Sequence, residues 1–139
     1  MKKMLRDANI YGKTRYVFCF VTKYQRDYFA YDPLREAVKQ CVYDFAFENQ
    51  CILDTLIIDN SSVYIDVTLP AWMYHKKFIS QLKSLTFALA KELARSDDNC
   101  PFTIKTQSIW SSHYFVQTIG NKVSQYDIDT FKEKTREQQ

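Results

Sequence analysis

Four residues at every second position, Ser62, Tyr64, Asp66 and Thr68, alternate with Val63, Ile65, Val67 and Leu69 in the run Ile57 to Pro70. A strand turns successive side chains to opposite faces, so this period of two gives one core face and one polar working face. The polar face offers three hydroxyls and a single carboxylate. Neutral hydroxyls hold Mg or Mn weakly unless carboxylates beside them supply charge, and Asp66 is the one carboxylate here. Asp66 is therefore expected to be a solvated strand residue, with a lone replacement ligand as the alternative.

A second pattern interleaves cations with rings: Lys13, Arg15 and Tyr16; Lys23, Tyr24, Arg26 and Tyr28; Tyr74, Lys76 and Lys77. Cations meet phosphates while rings stack on unpaired bases, at about 1–3 kcal/mol per base. The net charge of +3 is modest and common in proteins that touch no nucleic acid. The placement of these groups matters more than their sum.

Other chemistries find little support. Cys19, Cys41, Cys51 and Cys100 show no CxxC spacing and lie in apolar or amphipathic segments, which predicts reduced thiols and neither a disulfide frame nor a zinc site. His75, between Tyr74 and Lys76, is expected at the surface of a helix start, and His113 in a structural or nucleic-acid contact. Two glycines, Gly12 and Gly120, exclude a glycine-rich phosphate cradle. The acidic groups Asp97-Asp98 and Asp127 with Asp129 are expected to be solvated.

The positioning elements follow from periodicity. At 139 residues, 46% hydrophobic and 16% aromatic, the chain is expected to form a single domain over residues 1–139, with its core at about 13–119. Leu34, Ala37, Val38, Cys41, Val42 and Phe45 after Pro33 predict a helix over 33–48, and Phe78 to Leu93 predict another. Strands are expected at 15–22, 51–58, 62–69 and 103–118, the last interrupted at Ser111-Ser112, with a hairpin turn at Asp59-Asn60-Ser61 and a final helix over 124–136. That order is the α+β, ferredoxin-like split βαβ plan: an antiparallel sheet with two helices on one face, plus a C-terminal helix. No apolar run approaches the roughly 20 residues of a membrane span, and the polar start lacks the apolar centre of a secretion signal, so a cytoplasmic protein is expected.

Three segments carry a family resemblance. They are Phe20-Val21-Thr22-Lys23-Tyr24 followed by Arg26, the Ile57–Pro70 strand, and Ile109-Trp110-Ser111-Ser112-His113-Tyr114-Phe115-Val116-Gln117-Thr118-Ile119-Gly120. Together they resemble the HUH single-tyrosine transposases, the TnpA-type enzymes of small insertion sequences and their REP-associated relatives. Gln81-Leu82-Lys83-Ser84 is similar to the family's L-K-G segment, which adds Lys83 to the expected nucleic-acid contacts, although Leu85 and Ala88 stand where arginines usually follow.

The resemblance implies a site and shows it substituted. The family's central strand carries His-x-His, which holds Mg or Mn against the scissile phosphate; anchored on Pro70, those positions are Ser62 and Tyr64. The family's last helix supplies a tyrosine nucleophile and a metal-binding glutamine; aligned on Ser124 and Ile128, these become Phe131 and Thr135. Phenylalanine has no oxygen to form a phosphotyrosine. No catalytic or metal position is intact, so no cofactor is expected. The implied protein binds a single-stranded DNA or RNA hairpin, DNA in the first instance, as a homodimer and without cutting it. Two alternatives remain open: an active transposase whose nucleophile has moved to Tyr126 or Tyr64, and an interaction scaffold without nucleic acid. Tyr126 lies on a different face of the last helix from Phe131.

Overall fold

The computed structural model describes residues 12–120 and 125–137, the side chains of 127 and 134–137 excepted. Its elements are β1 (Lys13–Thr22), α1 (Asp32–Glu48), β2 (Ile52–Ile58), β3 (Ser62–Pro70), α2 (His75–Ser96), β4 (Trp110–Ile119) and α3 (Gln125–Glu137). The sheet is antiparallel in the order β2-β3-β1-β4. Each helical crossover therefore skips one strand, as the split βαβ plan requires. Among the described residues no helix is long and apolar enough to cross a membrane.

Alternation in the strands divides the sheet into two faces. Phe18, Phe20, Val63, Ile65, Val67 and Leu69 are buried beneath Leu34, Val38 and Val42 of α1 and Phe78, Ile79 and Leu82 of α2. Rings fix their relative positions: Phe18 stacks on Phe78 at 5.4 Å and Phe20 meets Trp110 edge-on at 4.7 Å. Thr86, buried in α2, donates to its own Leu82 carbonyl at 2.7 Å and accepts from Trp110 Nε1 at 2.8 Å, which ties the helix to β4.

Helix ends follow local chemistry. Pro33 sits in the first turn of α1, where its missing N–H costs nothing. At the far end Gln50 takes φ 61° and lets Cys51 N–H return to the Ala46 carbonyl at 2.8 Å, a left-handed closure without glycine. The Tyr31 phenol donates to Asp97, so this carboxylate is engaged rather than solvated as expected. The same bond pushes the Tyr31 hydroxyl up to about 12.

Two further expectations need correction. Residues 103–109 form no strand, because the chain there is held by side chains: Phe102 packs edge-on against Tyr28 at 4.9 Å and Tyr31 at 5.7 Å, and Ile109 is fully buried. Pairing begins at Trp110, and the interruption at Ser111-Ser112 is a bulge, since Phe20 faces Tyr114 while Thr22 faces Trp110. Tyr28 is buried beneath Phe102 and presents no stacking surface.

Candidate nucleic-acid interface

The open face of the sheet carries the substituted row. Ser62 lies opposite Val21, Tyr64 between Cys19 and Ile57, and Asp66 between Val17 and Thr55, with Phe115 of β4 beyond Cys19. Ile57 is 50% exposed and Phe115 53% exposed. The Ser62 hydroxyl stands 3.5 Å from Asp59 Oδ2.

Asp66 differs from expectation. It is only 6% exposed, and both of its oxygens are taken: Arg15 Nε donates to Oδ1 at 2.9 Å and Nη2 to Oδ2 at 2.7 Å. The same Nη2 lies 3.5 Å from Asp54 Oδ2, so one guanidinium spans three strands. This planar two-point bond holds the Asp66 carboxyl below the ordinary carboxylate range. Two residues expected in different roles, a solvated or ligating carboxylate and a phosphate contact, instead neutralise each other.

That arrangement does not fit a divalent ion. Ser62 and Tyr64 bring neutral hydroxyls, Asp66 on the same strand is saturated by a cation, and Asp59 at the turn is the one further carboxylate beside Ser62. Among the described residues no group of three or more His, Cys, Asp or Glu gathers that could hold a metal. Phe131 lies on α3 and is 46% exposed, Tyr126 is more exposed on the same helix, and the Thr135 side chain and Ser124 fall outside the described residues.

The basic residues divide into groups. Lys13 opens β1, whereas Lys23, Tyr24 and Arg26 follow its other end; Tyr24 is exposed and Arg26 stacks on its ring at 5.6 Å. Lys76 and Lys77 are exposed in the first turn of α2, and Lys83 is partly buried one side further on. Lys83 Nζ donates to the Ser111 carbonyl at 2.9 Å and lies 5.2 Å from the Tyr114 ring. Burial lowers its pKa. Two adjoining clefts run along this edge: one of about 480 Å³ with Lys76, Lys83, Gln107 and Tyr114, and one of about 510 Å³ with Lys23, Tyr24, Lys83 and Ser111.

Several aromatic and histidine readings change. Tyr16 stacks on Phe18 at 5.4 Å and meets His75 at a tilt, 5.5 Å between ring centres, so it belongs to the packing. His75 does begin α2, but half-buried, with an Nδ1 atom that is buried and has no hydrogen-bond partner. His113 is exposed, its backbone N–H bonded to Ser111 Oγ at 3.3 Å. Of the serines that line the edge cleft, Ser111 and Ser112 belong to the segment that carries the resemblance, whereas Ser108 was not singled out by sequence. An isolated serine carries no pattern that would have found it.

A split βαβ sheet with a two-residue-spaced polar row on an inner strand and an added C-terminal helix has the architecture of the HUH-type single-tyrosine transposases. The sequence profile of the IS200-like transposases matches residues 11–131, and the chain belongs to that family. A protein of Deinococcus radiodurans R1 assigned as a transposase superposes with a TM-score of 0.61 at 17% identity, over 91% of this chain and 92% of that one. A REP-associated tyrosine transposase bound to a REP hairpin gives 0.52 at 13% identity over 88% of this chain, which spans 63% of that protein. At these identities the likeness is one of fold. No curated protein matches the sequence.

Proposed function

We propose that this transposase-family protein grips a single-stranded nucleic-acid hairpin, DNA in the first instance, as a homodimer in the cytoplasm, and leaves it uncut. The observation that carries this reading is the Arg15–Asp66 clamp beside Ser62 and Tyr64, which takes up the only carboxylate that β3 itself carries, on the strand where the family holds its ion. Phe131 offers no oxygen to attack phosphorus. The REP hairpin bound by a protein of the same fold supports the grip, as do the cations at Lys23, Arg26, Lys76, Lys77 and Lys83. Ile128 and Phe131, exposed one turn apart on α3, support pairing with a second copy.

Hairpin affinity measured against salt tests the grip. Four phosphate contacts give a log–log slope of about −2.8, and a flat response removes the reading. Nicking of the hairpin with manganese that stops on adding EDTA removes the claim that it stays uncut. Installing Ser62→His, Tyr64→His, Phe131→Tyr and Thr135→Gln together is expected to create divalent-ion binding in calorimetry; a well-folded variant that binds no ion counts against these assignments.

One observation favours a second reading, an interaction scaffold without nucleic acid. Leu85 is 44% exposed on α2 at a position where the resemblance calls for an arginine. A salt-independent partner and no hairpin binding distinguish it.

A further inference from the structure

The outer side of the helix layer leaves a groove where α1 ends beside α2. A space of about 500 Å³ is lined by Phe45, Glu48 and Asn49 from the end of α1 and by Gln81, Ser84 and Leu85 of α2. Its base is apolar: Phe45 is buried and meets Phe78 at 5.5 Å, while Leu85 in the facing wall is 44% exposed. Phe47, next to Glu48, is 85% exposed, and Tyr43 one turn earlier on the same helix face is 47% exposed. Single exposed rings are ordinary, whereas rings gathered beside an apolar groove mark an interaction surface.

The charge along this side has one sign. Cys41, Asp44 and Glu48 recur at i, i+3 and i+7 on one face of α1; burial first, and then both carboxylates, holds the Cys41 thiol above its ordinary range. Asp44 accepts from Gln40 Nε2 at 2.8 Å through one oxygen, Oδ1. α1 also carries Asp32 and Glu36 against Lys39 and Arg35, and Arg35 is engaged by the Phe29 carbonyl at 2.9 Å and by Asn60 at 2.8 Å. The facing stretch Gln81 to Leu85 holds one charge, Lys83, which is turned away to the Ser111 carbonyl; Lys77, four residues before Gln81, is exposed outside the lining.

We infer that this groove seats a basic amphipathic helix of a partner protein, its apolar side against Leu85 and Phe47 and its lysines or arginines against Asp44 and Glu48. A helix fits because both walls are helices whose backbone groups are bonded within themselves. An extended segment would find no strand edge there to complete its own hydrogen bonds, whereas a helix brings its backbone already satisfied. The occupant is basic because nucleic acid or an acidic segment would set its charge against Asp44 and Glu48, and a second copy of this face would oppose the same carboxylates to each other. The seat is independent of the hairpin reading: α2 stands between this groove and the edge cleft that holds Lys76 and Lys83, with Ser84 on the ridge common to both.

The probe is a fluorescently labelled synthetic helix of leucine and lysine, about five turns long. It is compared with a leucine–glutamate helix of the same apolar face and with the leucine–lysine sequence broken by a central proline. Anisotropy titrations use wild type, Leu85→Ala, Phe47→Ala, the double variant Asp44→Lys with Glu48→Lys, and Phe115→Ala, which removes an exposed ring from the open sheet face. The leucine–lysine helix is expected to bind wild type and Phe115→Ala alike, and Leu85→Ala and Phe47→Ala about tenfold more weakly. The charge-reversed variant is expected to lose about tenfold for that helix and to gain for the leucine–glutamate one. Should the charge-reversed variant fail to fold, the two alanine variants, at exposed positions and checked by circular dichroism, carry the comparison. Equal binding of the proline-broken or the acidic sequence to wild type, a loss shared by Phe115→Ala, or no binding at all overturns the inference. A dimer in sedimentation that Leu85→Ala and Phe47→Ala dissociate gives the seat to a second copy and overturns it too. Hairpin affinity titrated on the same proteins is a separate readout, and its absence in wild type removes the hairpin reading while leaving the inference standing.

Discussion

The two faces of one sheet are put to opposite uses. Under the helices, Phe18, Phe20, Val63, Ile65, Val67 and Leu69 meet rings and aliphatic chains with almost no exposure. On the other side the same strands present Ile57, Tyr64, Cys19 and Phe115 in a half-open row, with a guanidinium–carboxylate pair beside it. Alternation makes the faces independent in composition: a substitution at an even position of β3 leaves the odd positions packed. A strand can therefore change the residues of one face while the sheet that positions them is kept.

The largest expected effects break or confirm this division. Ile65→Ala, on the covered face, is expected to cost about 2–5 kcal/mol of unfolding free energy, from lost burial and the cavity left behind. Tyr64→Ala, one residue earlier on the open face, is expected to cost under about 1 kcal/mol. Denaturant titration of the pair is the check. Equal losses would mean that the open row is covered in solution, as pairing of two copies through it would bring about.

Next in size is the clamp. Arg15→Met leaves the Asp66 carboxylate buried without its cation, and a loss of about 1–3 kcal/mol at neutral pH is expected. The sign of its pH dependence follows from the direction of the shift. The folded value of Asp66 is lowered, so the stabilisation is present above the ordinary carboxylate range and is lost as pH falls through the folded value. The stability gap between wild type and Arg15→Met should thus close on acidification, as thermal melts across that range can measure. A gap that stays constant would mean that Arg15 acts through the packing of its stem and not through its charge.

The clamp also marks where sequence stops being informative. The strand at 62–69 and the helix after Pro33 were legible because their signals are local, one a period of two and the other a period near 3.6 with a proline in the first turn. The ion pair joins residues 51 apart in sequence, and nothing in either neighbourhood names the other. Residues 103–109 failed for a related reason. Phe102 and Ile104 alternate with polar residues as a strand would, but their side chains pack against the core and the segment pairs with no strand. The left-handed turn at Tyr24 escaped because such angles are ordinarily announced by glycine or asparagine, and neither is present. Of the candidate site, the cations were legible as a set and their grouping was not: Lys83 joins Lys23 and Tyr24 only because β4 brings Ser111 within reach.

The smallest effect sharpens the comparison by asking which region meets nucleic acid. The edge cleft lies on the helical side, since Lys83 belongs to α2 and sits 6.0 Å from the ring of Phe20, a covered-face residue. If the grip is there, Lys83→Ala removes one phosphate contact and should make the salt slope shallower by about 0.7, with Tyr64→Ala leaving the slope unchanged. pH gives a second handle on the same residue. Burial lowers the Lys83 pKa, so its charge is lost earlier on alkaline titration than that of an exposed lysine, and hairpin affinity should fall in that window. Lys83→Arg, which stays charged throughout, should abolish the fall while keeping the salt slope. A slope that responds to Tyr64→Ala and ignores Lys83→Ala would move the interface to the open face, where Ser62 and Tyr64 would then contact the hairpin directly.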